Sequence, residues 1–222
     1  MKKIDVKKIQ AIIKNQGIAI DALVLHGSSI LKVQNRESDI DILGVVESGS
    51  FEDIVEIIDG EKYHIIFKDK EYLKNLSDDF SYTILNRISD FNTLSGRVLS
   101  GKILWEKHKG EISLIISENY TTFDKTILDK KLRYQMLGQL KDATTGNKYI
   151  NLICIQNALD TLICRFLIKK DIFFLNQKWF PVYIDEYFDR EISECYYNLR
   201  FSLNPDLIEF KKILEWVDTY EI

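Results

Sequence analysis

From about Thr122 onward apolar residues recur at helical spacing with few breakers, whereas the front half is cut by glycines into short apolar runs. That change of period constrains the fold most: a small sheet with helices comes first and a helical bundle follows. Only ten Gly and two Pro occur in 222 residues, so each break is informative. Asp5 caps a short helix whose apolar residues are Val6, Ile9, Ile12 and Ile13, with Gly17 past its end. Ala19 to His26 reads as a strand, Gly27-Ser28-Ser29 opens a short helix, and Asp39 to Val46 reads as a second strand. Phe51 to Ile58 reads as a brief amphipathic helix stopped at Gly60, Tyr63 to Phe67 as a third strand, and Lys102 to Trp105 as a short one. The spacing turns mainly helical from about Glu71. Helices are then predicted over Phe123 to Asp142, Tyr149 to Ile168, Ile184 to Leu199 and Leu207 to Tyr220, with Pro181 and Pro205 punctuating the connections. The expected class is α+β, with a mixed sheet and helices over residues 1–120 and a helical bundle over 121–222.

The apolar fraction of 45% with 29% charged residues suits a chain that buries a real core, which excludes a disordered or fibrous protein. A net charge of −4 provides no general cationic field for a long nucleic-acid backbone, so a small or localised partner is expected. Met1-Lys2-Lys3-Ile4-Asp5-Val6-Lys7-Lys8 lacks the apolar core of a signal peptide, and no stretch reads as the roughly 18 apolar residues that cross a bilayer. A cytoplasmic protein with no membrane partner is therefore expected. Cys154, Cys164 and Cys195 show neither C-x-x-C spacing nor a neighbouring His pair and read as buried reduced thiols rather than a zinc site or redox couple.

The chemistry-bearing segment is Leu25-His26-Gly27-Ser28-Ser29, followed ten residues after Ser28 by Ser38-Asp39-Ile40-Asp41-Ile42. Residues i and i+2 of a strand share a face, so Asp39 and Asp41 present two carboxylates together while Ile40 and Ile42 face the core. Two such charges repel unless a cation lies between them, and hard oxygen donors suit Mg²⁺ far better than zinc. Gly27 permits close backbone approach, and the N–H groups opening the following helix offer a phosphate seat to which Ser28 and Ser29 add hydroxyls. A carboxylate pair beside a phosphate cradle suits phosphoryl or nucleotidyl transfer. Taken singly, each feature also fits a capping serine or solvent-facing aspartates on an edge strand.

Gly27-Ser28 followed at about ten residues by Asp39-Ile40-Asp41 resembles the signature of the DNA polymerase β-like nucleotidyltransferase superfamily, whose smaller members include aminoglycoside and lincosamide nucleotidyltransferases and the minimal nucleotidyltransferases of toxin–antitoxin systems. The specific match covers residues 25 to 46. The resemblance implies a short mixed sheet followed by a helical domain, triphosphate binding by Gly27 and Ser28, and catalytic Mg²⁺ on Asp39 and Asp41. It further implies transfer of a nucleoside monophosphate, AMP from ATP by family expectation, to a hydroxyl of a small molecule such as an antibiotic or of a protein. A catalytically impaired nucleotide- or partner-binding module and a protein-modifying antitoxin are the alternatives.

The family draws a third carboxylate from the next sheet strand. Here that strand reads Glu61-Lys62-Tyr63-His64-Ile65-Ile66-Phe67-Lys68-Asp69, and His64 stands in the expected place. Three readings stay open: His64 acts as the base, Glu61 or Asp69 swings in from a strand end, or catalysis has been lost. A half-buried, hydrogen-bonded strand histidine is the structural counterpart of the first.

His26 either lines the site or packs beneath it, and Arg36 in the intervening loop either reaches a phosphate or is a solvated charge. Lys130, Lys131, Arg133, Lys141 and Lys148 form either a basic wall or a solvated stripe. Phe173, Phe174, Trp179, Phe180 and Tyr183 read as bundle core, with a base or acceptor pocket as the alternative.

Overall fold

In the computed structural model, residues 4–31, 39–86, 91–144 and 146–220 are described. The chain divides into two compact units, Met1–Phe80 with Leu94–Phe123, and Ser81–Thr93 with Asp124–Ile222. The fold is α+β, a five-stranded mixed sheet with helices followed by a helical region.

The first unit opens with α1 (Val6–Asn15), capped by the Asp5 carboxylate, which accepts from Lys8 N at 3.2 Å. The strands are β1 (Ala22–His26), β2 (Ile40–Val46), β3 (Ile54–Ile58), β4 (Glu61–Asp69) and β5 (Lys102–Glu106), ordered β3-β4-β2-β1-β5 across the sheet. β1 runs antiparallel to both β2 and β5, β3 antiparallel to β4, and β2 parallel to β4. Period-two alternation sends Leu23 and Leu25, Ile40 and Ile42, and Tyr63, Ile65 and Phe67 into one apolar layer with Ile9 and Ile13 of α1. The opposite face carries the intervening residues, His26 of β1, Asp41 of β2 and His64 of β4 among them. Short helices α2 (Lys70–Lys74), α3 (Leu76–Asn86) and α4 (Leu94–Leu99) follow β4, and α5 (Glu111–Thr122) follows β5. The Asp69 carboxylate caps α2, accepting from Tyr72 N at 2.8 Å.

The second unit is built on α6 (Lys125–Asp142), α7 (Lys148–Lys169), α8 (Phe180–Tyr187), α9 (Arg190–Phe201) and α10 (Leu207–Asp218). Ala158 to Ile168 of α7 is buried throughout. Arg165 lies within that stretch, and its guanidinium donates to Asp129 at 2.8 Å and to Asp218 at 2.9 Å, so the buried cation is paired with two carboxylates. Contrary to the sequence reading of membrane-length segments, α7 is long and apolar enough to cross a bilayer, but 61% of its apolar window is buried inside the protein, where a core helix needs that apolarity. Phe173, Phe174, Trp179, Phe180 and Tyr183 are all buried, which is the packing role expected of them.

Two element assignments change. Phe51 to Ile58 is not a helix: Ile54–Ile58 forms edge strand β3, joined to β4 by Asp59 and Gly60 with φ of 52° and 82°. Two left-handed residues in succession make the turn whose twist matches a β-hairpin, and Asp-Gly is its favoured sequence. The apolar pattern of Ile54, Val55, Ile57 and Ile58 fits both periods, so the turn decides. The stretch from Ile184 to Leu199 is two helices, the second capped by Asp189, which accepts from Ile192 N at 3.0 Å. A Cβ on Gly60 meets nothing within 4 Å, so the cost of Gly60→Ala is purely conformational. We expect that variant to lose about 1–2 kcal/mol in urea unfolding at an unchanged m value.

Candidate functional site

The pairing registers bring the predicted residues to one row. His26 of β1 stands opposite Asp41 of β2, and Asp41 stands opposite His64 of β4. Cross-strand partners share a face, so all three side chains lie on the sheet face opposite α1. Alternation places Lys62 beside His64 on that face, and Asp39 immediately precedes β2 on the side of Asp41.

Gly27 opens a four-residue 3₁₀ turn, Gly27–Ile30, directly after β1. Its φ is +66°, and a Cβ built there would overlap Asp41 Oδ2 and lie 3.1 Å from Asp41 Cγ. The glycine-serine turn and the Asp-x-Asp strand therefore meet at van der Waals distance. From the sequence this glycine is expected to admit a ligand; the space it leaves is filled instead by the Asp41 carboxylate. Among the described residues one 3₁₀ turn follows, so any anion here would rest on local N–H and hydroxyl groups more than on a long helix dipole. The Ser29 hydroxyl donates to the Asp39 carbonyl at 3.4 Å, tying the turn to the start of β2. Arg36 lies outside the described residues.

His64 Nδ1 lies 3.8 Å from Asp41 Oδ1, while its Nε2 hydrogen-bonds Asp53 Oδ2 at 3.0 Å. With Nε2 donating to Asp53, Nδ1 faces Asp41. Asp69, one of the strand-end candidates, is taken up by the α2 cap, and Glu61 lies on the opposite face by alternation. Asp39 pairs with Lys62, whose Nζ donates to Oδ2 at 2.8 Å.

His26 is not a site-lining group. It is 1% exposed, and burial first, with Arg97 and His64 nearby, pushes its pKa down to about 3. The ring therefore stays neutral beneath the turn, so the base of the site is packed rather than charged. Among the basic residues considered for a phosphate wall, Arg133 is paired with Asp218 at 3.2 Å and Lys148 lies over the Tyr149 ring, both within the second unit.

Sequence reasoning missed Asp53 and Lys62. Lys62 was legible, because it sits two residues before His64 and so shares its face. Asp53 becomes visible only once β3 is recognised as a strand, since that pairing puts Val55 opposite His64 and brings the residues before β3 to the same region.

Among the described residues no three or more His, Cys, Asp or Glu side chains form a ligand cluster. Mg²⁺ needs fewer: it commonly takes one or two carboxylates and completes its shell with water and substrate phosphates. Asp39 and Asp41 beside the Gly27 turn fit that donor set.

No family model matches the chain, and no curated protein matches it. A solved structure of a nucleotidyltransferase-like protein from Exiguobacterium sibiricum 255-15 is similar at a TM-score of 0.49 and 11% identity, over 95% of this chain and 74% of that one. At that level of likeness no residue role passes from one chain to the other.

The pKa of about 3 for His26 against 6.5 in an unfolded chain means that acidification protonates the unfolded state first. Stability is thus present at neutral pH and drains away as pH falls from about 6.5 toward 3, at no more than about 1.4 kcal/mol per pH unit. Urea unfolding between pH 7 and pH 4 should show this extra acid sensitivity in the wild type and not in His26→Gln.

Proposed function

We propose that the protein is a nucleotidyltransferase that moves a nucleoside monophosphate from a nucleoside triphosphate, ATP by family expectation, to an acceptor hydroxyl with release of pyrophosphate. The observation that carries this reading is the convergence of Gly27 and Asp41, because a phosphate-binding turn and a metal-binding acid must meet for such a reaction to occur.

Gly27 and Ser28 bind the triphosphate through N–H groups and the Ser28 hydroxyl and fix it for in-line attack; Ser29, expected from the sequence to add a second hydroxyl, is buried with that hydroxyl on the Asp39 carbonyl and holds the turn to β2 instead. Asp39 and Asp41 would hold Mg²⁺, which when bound neutralises charge on the phosphate oxygens. The acceptor hydroxyl oxygen attacks the α-phosphorus, the bond to the bridging oxygen breaks, and pyrophosphate leaves. His64 takes the hydroxyl proton at Nδ1 while Asp53 holds Nε2 and so fixes the ring, the orienting logic of a carboxylate behind a histidine. The net charge of −4 supports a small acceptor, and an antibiotic-like hydroxyl compound suits the reading. So does a cytoplasmic setting, where nucleoside triphosphates and Mg²⁺ are at hand.

A second reading, a nucleotide- or partner-binding module without transfer, is favoured by His64 in place of a carboxylate. Incubation with Mg²⁺ and labelled nucleoside triphosphates, against a panel of aminoglycosides, lincosamides and cell lysate, separates the two. A labelled small molecule supports the first, and labelled protein supports the protein-modifying variant of it. Binding without any transfer supports the second reading.

Asp41→Asn should abolish transfer without unfolding the protein. The loss should exceed the roughly 10–100-fold typical of changes to outer-shell partners of a metal. Full activity in this variant would remove the site assignment. A near-normal rate in His64→Ala would retire the histidine as base while leaving the two aspartates in place.

A further inference from the structure

Lys62 occupies a position that the nucleotidyltransferase reading does not use. It lies on β4 two residues from His64, on the face shared by Asp41, and its ammonium donates to Asp39 Oδ2 at 2.8 Å. Its side chain is 53% exposed and that of Asp39 is 35% exposed. Pairs this open to water are weak and screened by salt. Lys62 has no second ion pair among the described residues, so once Asp39 turns to another cation the ammonium is left beside the site with its three donors unspent.

We infer that Lys62 is an exchangeable counter-charge: it holds Asp39 when no divalent cation is bound, gives Asp39 up to that cation, and then binds the phosphates of the incoming triphosphate. This rests on the nucleotidyltransferase reading of the site and extends it. Two carboxylates on one sheet face cost free energy through mutual repulsion, and a lysine on the adjacent strand offsets that cost without blocking entry, because a flexible four-carbon stem moves easily. A divalent cation displaces the lysine by its larger charge, and the triphosphate brings the negative charge that retains the lysine nearby. The same residue thus opposes bare metal binding and favours loading with nucleotide.

The test uses the full chain and two probes. Mn²⁺ alone is titrated and free Mn²⁺ read by electron paramagnetic resonance; then an α,β-methylene ATP analogue is titrated in Mg²⁺ by calorimetry. Lys62→Met should tighten Mn²⁺ binding about three- to tenfold and weaken analogue binding by a similar factor, a crossed pattern, while Lys62→Arg stays near the wild type for both. Lys62→Met with both affinities within about twofold of the wild type, while Asp41→Asn abolishes Mn²⁺ binding, overturns the role of Lys62 and leaves the site standing. Wild-type protein that binds no Mn²⁺ in an Asp41-dependent way overturns the site and the role of Lys62 together. Thermal melts of each variant confirm that the exposed substitution leaves the fold intact.

Discussion

The parallel pairing of β2 with β4 is the constraint on which the arrangement at the sheet face depends. The chain leaves β2, passes to the sheet edge as β3, and returns through the Asp59-Gly60 turn as β4, which inserts between β3 and β2. That insertion sets Asp41 against His64 and brings Lys62 to Asp39. Because side chains alternate with period two, a slip of one residue would turn every one of these groups toward α1 and send Ile40, Ile42 and Ile65 to the other face. The hydrophobic layer under α1 therefore fixes the polar register as firmly as it fixes the core.

Electrostatics then explains the residue types in the row. Asp41 is flanked by a neutral, buried His26 on one side and by His64 on the other. An acid at either neighbouring position would stand about 4 Å from it and cost roughly 1 kcal/mol in water and about 4 kcal/mol in a partly desolvated setting. Gly27 contributes through its backbone and its lack of a Cβ: its φ of +66° suits glycine, and any side chain there would displace the Asp41 carboxylate. The turn, the strand and the neighbouring strand are thus fitted to one carboxylate.

Much of this was legible in the sequence where period and punctuation agreed. Asp5 and Gly17 bracket α1 as expected, and the apolar alternation of Asp39 to Val46 gives β2 to within a residue. The juxtaposition of the Gly27 turn with Asp41 was legible from spacing, because a ten-residue separation suffices for the chain to turn and pair antiparallel. Where two periods fit the same run, as over Ile54 to Ile58, the assignment turned on a single dipeptide, and treating Gly60 as a helix stop concealed the hairpin. That one misreading also concealed Asp53, which has meaning only as the residue preceding an edge strand. The reason Gly27 is glycine could not be read locally, since it lies in a side chain fourteen residues away that only the fold brings into contact.

The histidine on β4 is best understood together with Asp53. A carboxylate is present on this side of Asp41, but it stands behind an imidazole, 3.0 Å from Nε2, rather than on the strand next to Asp41. Placing it there keeps the like charges apart by the width of a ring. It also leaves Nδ1, an atom that can either accept or carry a proton, facing Asp41 at 3.8 Å. A direct third carboxylate would bind a hard cation more strongly and repel its two neighbours more strongly. The histidine would give up part of that cation affinity for a smaller negative charge, the balance that the role proposed for Lys62 would also serve from two residues away.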